Sequence, residues 1–396
     1  MSSPHADRAL LVVGAGVAAA LHVGKLPTAI PVLRDALGVT LVEAGFLLSL
    51  VQFAGMLLGL AVGLAADGLG LKRTMVSGLA LLAVASALGA LAQSAEMLMA
   101  LRAVEGVGFL LASMPAPSLI RRHVGSAKVN AALGLWGAYM PFGTAVALLA
   151  GPPVMDVIGW RGWWLLLALV AAVMAAVLWF GVPQDPRMAG ANPAGAWQSR
   201  LRETLRSRGP WWVALCFCVY SAQWLSVIGF LPTVMAQAGF TATSAGAATA
   251  LAALVNMAGN IAAGRFLQRG ARPALLLSIG FVAMGCGALA AFSSAPGGVR
   301  YAGVLVFSMV GGLVPGTLFS LGVRLAPGDE NVSTTVGWMQ QWSAIGQFAG
   351  PPLVAWVAQQ AGGWQWSGAV TGTFALAGLL FAGFISLVLR GHAARI

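Results

Sequence analysis

Three formally charged side chains, Lys25, Arg102 and Glu105, lie well inside long apolar stretches of this 396-residue chain, and His22 joins them. His22 and Lys25 are three residues apart, as are Arg102 and Glu105, so on helices each pair shares a face. A charge facing lipid would cost roughly 2.5 kcal/mol or more, so all four are expected to face one another or a cavity. Along their helices, Lys25 falls about 22 Å into a span of roughly 33 Å, and Glu105 about 12 Å from the outer face. The two therefore share a depth. Two readings stay open. Glu105 neutralises Lys25 or Arg102 and the cluster fixes packing. Alternatively the cluster lines a cavity, where its excess of one positive charge, two with His22 protonated, favours an anionic or carbonyl-rich ligand. Glu105 and His22 are the buried groups able to titrate usefully, which makes them the candidate proton carriers.

The second half of the chain offers neutral chemistry instead. Tyr220, Gln223 and Trp224 fall in one apolar stretch, Asn256 and Asn260 in the next, and Trp338, Gln340, Gln341 and Trp342 further on. Trp136 and Tyr139 add a similar pair to the first half. Amides and indoles orient and stack a solute without charge. For Trp136, Trp338 and Trp342, plain helix packing is the equal alternative. Trp160, Trp163, Trp164, Trp364 and Trp366 sit at expected span ends and are expected to form an interfacial belt.

The elements that must position these groups follow from composition. Residues of the types AVILMFWYC make up 59% and charged residues 8%, with mean hydropathy +0.85. Such a chain cannot cover a water-facing surface, which excludes a soluble enzyme, a disordered chain and a disulfide scaffold. Twelve apolar spans are expected near 9–33, 41–66, 74–94, 97–120, 130–154, 160–182, 211–235, 242–264, 273–295, 300–325, 333–359 and 365–390. The longest polar interruption, 183–210, carries Arg187, Arg200, Arg202, Arg206 and Arg208 and separates a bundle over 1–182 from one over 211–396. With both termini in the cytoplasm, seventeen of the 22 lysines and arginines fall on that side and three outside. The net charge of +11 thus reads as a topology signal rather than a nucleic-acid footprint. Ala18-Ala19-Ala20 could end a signal peptide, but cleavage would remove half of a span that the second half repeats. Gly14 and Gly16 after Leu11-Val12-Val13 mimic a dinucleotide fingerprint, and close helix packing explains them better. Cys216, Cys218 and Cys286 lie in apolar stretches with no metal or disulfide spacing.

An internal repeat organises the spans. Residues 36–50 align with 237–251 at a shift of 201, with Pro31 meeting Pro232. Gly59, Gly70 and Lys72 meet Gly259, Gly270 and Arg272 at 200, and Gly151-Pro152-Pro153 meets Gly350-Pro351-Pro352 at 199. The halves are therefore parallel repeats, with a solute site expected between them near the midplane, as alternating access requires.

The first loop after span two reads Gly63-Leu-Ala-Ala-Asp67-Gly-Leu-Gly70-Leu-Lys72-Arg73. It resembles the G-x-x-x-D-x-x-G-x-[RK]-[RK] signature of the major facilitator superfamily. The resemblance implies a charge latch that holds one gate shut, with Gly63, Asp67, Gly70, Lys72 and Arg73 as the gating residues and Asp67, at a helix end, able to pair with basic groups on a neighbouring helix; a solvated turn obeying the positive-inside rule is the plainer reading. The second half keeps Gly270 and Arg272 but has Leu267 for the acid, so any latch there is weaker. Arg102-Ala-Val-Glu105-Gly106-Val-Gly108 resembles the family's R-x-x-Q-G-x-G, with an acid for the amide, and the resemblance ties Arg102 to proton coupling. Ala138, Ala147, Gly151 and Pro152, and again Gly337, Gly346, Gly350 and Pro351, resemble the G-x8-G-x3-G-P spacing of drug/proton antiporters.

The expected fold is an all-α integral membrane protein, twelve transmembrane helices in two parallel six-helix pseudo-repeats. The expected function is secondary transport of a small organic solute, coupled to protons and leaning to export by antiport, with uptake by symport as the alternative. A channel or membrane enzyme is disfavoured, since His5, His22, His123 and His392 are scattered and no nucleophile motif occurs. Protons, the solute and the lipid bilayer are the expected partners. The chain is expected to be a monomer in a bacterial inner membrane, with no cofactor, metal or nucleic acid.

Overall fold

The structure is a computed structural model. It describes residues 4–123, 136, 138–183, 196–328 and 331–393, with the side chains of 4–7, 62–69, 121, 122, 196, 333 and 391–393 outside the description. The start of the expected fifth span and most of the 183–210 linker, including Arg187, therefore lie outside the described residues.

Apolar runs bounded by capping and turn residues produce the helices. The first half contains α1 (Pro4–Leu37), α2 (Leu41–Ser49), α3 (Phe53–Leu69), α4 (Leu71–Gly89), α5 (Ala95–Ser113), α6 (Ala116–His123) and α7 (Tyr139–Gly181). A short α8 (Ala196–Arg206) leads into α9 (Arg208–Gln237), α10 (Ala242–Gln268), α11 (Pro273–Ala291), α12 (Gly297–Gly311), α13 (Leu313–Arg324), α14 (Val332–Gln360) and α15 (Ser367–Ala393). Thr40 caps α2 reciprocally: its hydroxyl accepts from Glu43 N–H at 3.2 Å, and its own N–H donates to Glu43 Oε2 at 2.8 Å.

Ten helical stretches among the described residues are long and apolar enough to cross a membrane. One of them, α7, has 43 residues, about 64 Å of helix and roughly twice a bilayer core. Gly159 interrupts it with φ 71°, ψ 171°, so it carries two crossings. A twelfth crossing is α14, whose 29 residues suffice in length but whose Thr, Gln and Trp content keeps it out of the apolar set. The twelve-helix, all-α architecture expected from the sequence is what the chain adopts.

The repeat is visible in the backbone. Gly38 and Gly239 both take positive φ, at 66° and 88°, as do Gly70 and Gly270, at 86° and 85°. Each pair closes a turn that an L side chain would strain. Span four is broken between α5 and α6 at Pro115, and span ten near Pro315, two hundred residues later. The chain divides into two compact units, one of Met1–Ala191 with Met235–Ala250, the other of Asn192–Val234 with Leu251–Ile396. In the first unit the small residues of span five face α1, with Ala147 against Gly24 and Gly151 against Thr28. In the second, Gly346 and Gly350 of α14 face the carbonyls of Cys218 and Ala222 on α9. The antiporter-like spacing thus builds the same close helix contact twice. Gly14 faces Met174 and Gly16 faces Trp136 and Tyr139, so the fingerprint-like glycines serve packing.

Candidate functional site

In the first unit, α1 and α5 bring the four ionisable residues together. Lys25 Nζ donates to Glu105 Oε1 at 2.5 Å and to Ser86 Oγ at 3.0 Å. Arg102 Nη1 donates to Glu105 Oε2 at 2.5 Å and to the His22 carbonyl at 2.6 Å, while Nε donates to the Leu47 carbonyl at 3.2 Å. His22 Nδ1 lies 3.4 Å from Lys25 Nζ and 3.9 Å from Glu105 Oε1. Each of the four is at most 2% exposed. One carboxylate therefore bridges two cations, with one oxygen for each. The cluster keeps a formal excess of one positive charge, and one donor, Arg102 Nη2, is buried without a partner.

Two supports were not read from the sequence as part of this group. Ser86 passes the contact on, since its hydroxyl also donates to the Trp164 carbonyl at 2.9 Å. Lys25 Nζ stands 4.6 Å from the centre of the Trp164 ring. The belt expected of Trp160, Trp163 and Trp164 is corrected here: they are 5%, 3% and 1% exposed. Gly159 turns the chain so that span six begins inside the unit, where Trp160 meets Trp164 edge-on at 5.5 Å. Their signal was the i, i+4 spacing, which places both on one helix face. Trp366, at 60%, is exposed, whereas Trp364 packs on Phe230 at 5.0 Å. Trp136 and Tyr139 stack on each other at 4.0 Å.

Of the loop residues, Gly70 supplies the positive-φ turn. Lys72 is buried with its Nζ 5.1 Å from the Trp179 ring, and Arg73 is exposed. The surroundings of Gly63 and the side chain of Asp67 lie outside the described residues, although both fall within α3.

In the second unit, Tyr220, Trp224, Asn256 and Asn260 do meet. Asn256 Nδ2 donates to Tyr220 Oη at 3.0 Å and to the Ser308 carbonyl at 2.8 Å. Asn260 Nδ2 donates to Asn256 Oδ1 at 3.2 Å, and Trp224 Nε1 to Ser308 Oγ at 3.4 Å. Ser308 is the hub that a serine in an apolar run gives no reason to single out. Trp338 and Trp342 form a second group with Trp211, whose ring lies 4.9 Å and 5.7 Å from theirs. Both of their indole N–H groups are buried without a partner, as are both amide atoms of Gln223, which is 0% exposed. Gln341 is half-buried on the same helix, and Gln340 is exposed.

The comparisons with known proteins accord with this architecture. Over 348 residues the chain is 26% identical to the 2-nitroimidazole transporter of Escherichia coli K12, covering 84% of this chain and 83% of that protein. It is 29% identical over 159 residues to the probable nitrate transporter NarT of Staphylococcus carnosus TM300, 40% of each chain. Its fold superposes with a TM-score of 0.80, at 16% identity and 98% coverage of both chains, on a bacterial homolog of the human lysosomal transporter Spinster in an inward-facing, unoccupied conformation. The family description Major Facilitator Superfamily matches residues 11–351. With twelve crossings in two repeats and a match over most of its length, the chain belongs to the major facilitator superfamily and is a secondary transporter of the membrane, not an enzyme.

Proposed function

We propose that this transporter carries a small organic solute bearing anionic or strongly polar oxygens and exchanges it for protons, in the direction of export. The observation that carries the reading is the spare positive charge of the buried group. Lys25 and Arg102 share a single carboxylate, and Arg102 Nη2 has no partner. A buried guanidinium donor without an acceptor is costly, and a solute oxygen would satisfy it. Relatives named for 2-nitroimidazole and nitrate support the same chemistry, since both solutes present oxygens on a planar nitrogen. Trp136, Tyr139, Tyr220, Gln223, Trp224, Asn256, Asn260, Trp338, Gln341 and Trp342 are the proposed neutral contacts. Glu105 and His22, with Arg102, are the proposed route for the proton. The antiporter-like stripes of spans five and eleven support export, and Gly63, Asp67, Gly70, Lys72 and Arg73 the gate.

The test is counter-flow in proteoliposomes with labelled nitrate, benzoate and a nitroimidazole, with and without an imposed pH gradient. Exchange of these solutes, driven uphill by the gradient, is expected. Exchange confined to organic cations, or indifference to the gradient, would overturn the solute class or the coupling respectively. Loss of pH drive with retained exchange in Glu105→Gln would assign the proton to Glu105; full retention would leave His22.

A further inference from the structure

Between α8 and α9 the chain leaves helical geometry for one residue, Ser207. A cavity of about 380 Å³ opens at this break, against the last turns of α15. Its two sides differ in chemistry. Arg206 and Arg208 are exposed on one, and among the described residues neither is paired with a carboxylate. The neighbouring acid, Glu203, is engaged by Asn331, whose Nδ2 donates to Oε2 at 2.7 Å. The other side is apolar: Trp212 stacks on Phe384 with centroids 4.5 Å apart and planes at 16°, and Leu387 is 62% exposed.

The position of the cavity decides what can fill it. Arg208 is the first residue of one candidate span and Arg390 the last of another, and the cavity touches the ends of both. It therefore lies where two spans reach a membrane surface, the depth at which a lipid phosphate meets its acyl chains. Basic pockets between membrane helices at this level select anionic headgroups, and tryptophan settles at the same level. We propose that this cavity is a binding site for one anionic phospholipid, its phosphate held by Arg206 and Arg208 and an acyl chain laid along Trp212, Phe384 and Leu387. The two unshared positive charges favour a headgroup with net negative charge over one that carries choline.

Native mass spectrometry of the full chain in detergent tests this, with palmitoyl-oleoyl phosphatidylglycerol added and the phosphatidylcholine of the same chains as control. One phosphatidylglycerol is expected to survive activation that strips phosphatidylcholine. R206Q/R208Q is expected to lower that occupancy about tenfold or more, and W212A several-fold. Inorganic phosphate in excess is expected not to displace it. Equal retention of the two lipids by the unaltered protein would overturn the proposal, and needs no variant. Unchanged occupancy in R206Q/R208Q would overturn it too. Displacement by inorganic phosphate would reduce the site to an anion site without a lipid.

Discussion

The two units bury polarity in opposite ways. In the first, the site group is ionic and nearly every atom of it is used: Lys25, Arg102 and Glu105 meet in two contacts of 2.5 Å, and within the group Arg102 Nη2 is the atom left without a partner. In the second it is neutral and loosely used. Asn256 is well bonded, yet Gln223 has neither amide atom partnered, and the indoles of Trp338 and Trp342 have none. The difference follows from desolvation. An unpaired charge in a low-dielectric interior costs far more than an unpaired amide or indole, so charges survive there only when they compensate one another. The ionic group is therefore the one whose members hold one another in place. The neutral group keeps donors and acceptors in reserve, which suits the solute-contacting role proposed for it.

The largest effect is expected from breaking the ionic group. Glu105→Gln strands two cations and Lys25→Met strands a share of one carboxylate, so each single variant should lose about 3–5 kcal/mol. Thermal unfolding in detergent measures this. The Lys25→Met/Glu105→Gln double variant should lose clearly less than the sum, because each change removes the other's cause. Additive losses would mean that the two are not coupled and would erase the contrast between the units.

A packing change in the second unit should come next. The added methyl of Gly346→Ala meets the Cys218 carbonyl of the facing helix, and forcing the helices apart should cost about 1–3 kcal/mol. Gly372→Ala, on α15, meets nothing within 4 Å and serves as the control. Equal stability of the two variants would show that the α9–α14 contact tolerates separation.

Asn256→Ala should then cost about 1–3 kcal/mol, from the Tyr220 hydroxyl and the Ser308 carbonyl left without their donor. A loss as large as that of Glu105→Gln would contradict the view that the neutral network is the more forgiving. Least of all should be felt from Asp67→Asn, whose stability is expected to be unchanged. Its effect should appear only as greater thiol labelling of a cysteine introduced into the vestibule on the loop's side. Leu267→Asp, at the corresponding place in the second half, should do the opposite and slow labelling there. Unaltered labelling in both would leave the loop as a turn and no more.

Much of this was legible in the sequence for a simple reason. Hydropathy, the positive-φ glycines and the repeat are local properties, set by solvent and sterics residue by residue. They determined the spans, the pairing of Gly38 with Gly239 and of Gly70 with Gly270, and the fact that four ionisable groups had to avoid lipid. The sequence left open which of Lys25 and Arg102 Glu105 would neutralise, and the tertiary structure answers both. It alone decided that Ser86, the Leu47 carbonyl and Trp164 complete the group. Those partners stand 61 residues from Lys25, 55 from Arg102 and 78 from Ser86. No periodicity reaches that far along a chain. Helix packing fixes which faces meet, and the tryptophans that local pattern assigned to the membrane surface are buried after the turn at Gly159, with Trp164 set against Lys25 and Ser86.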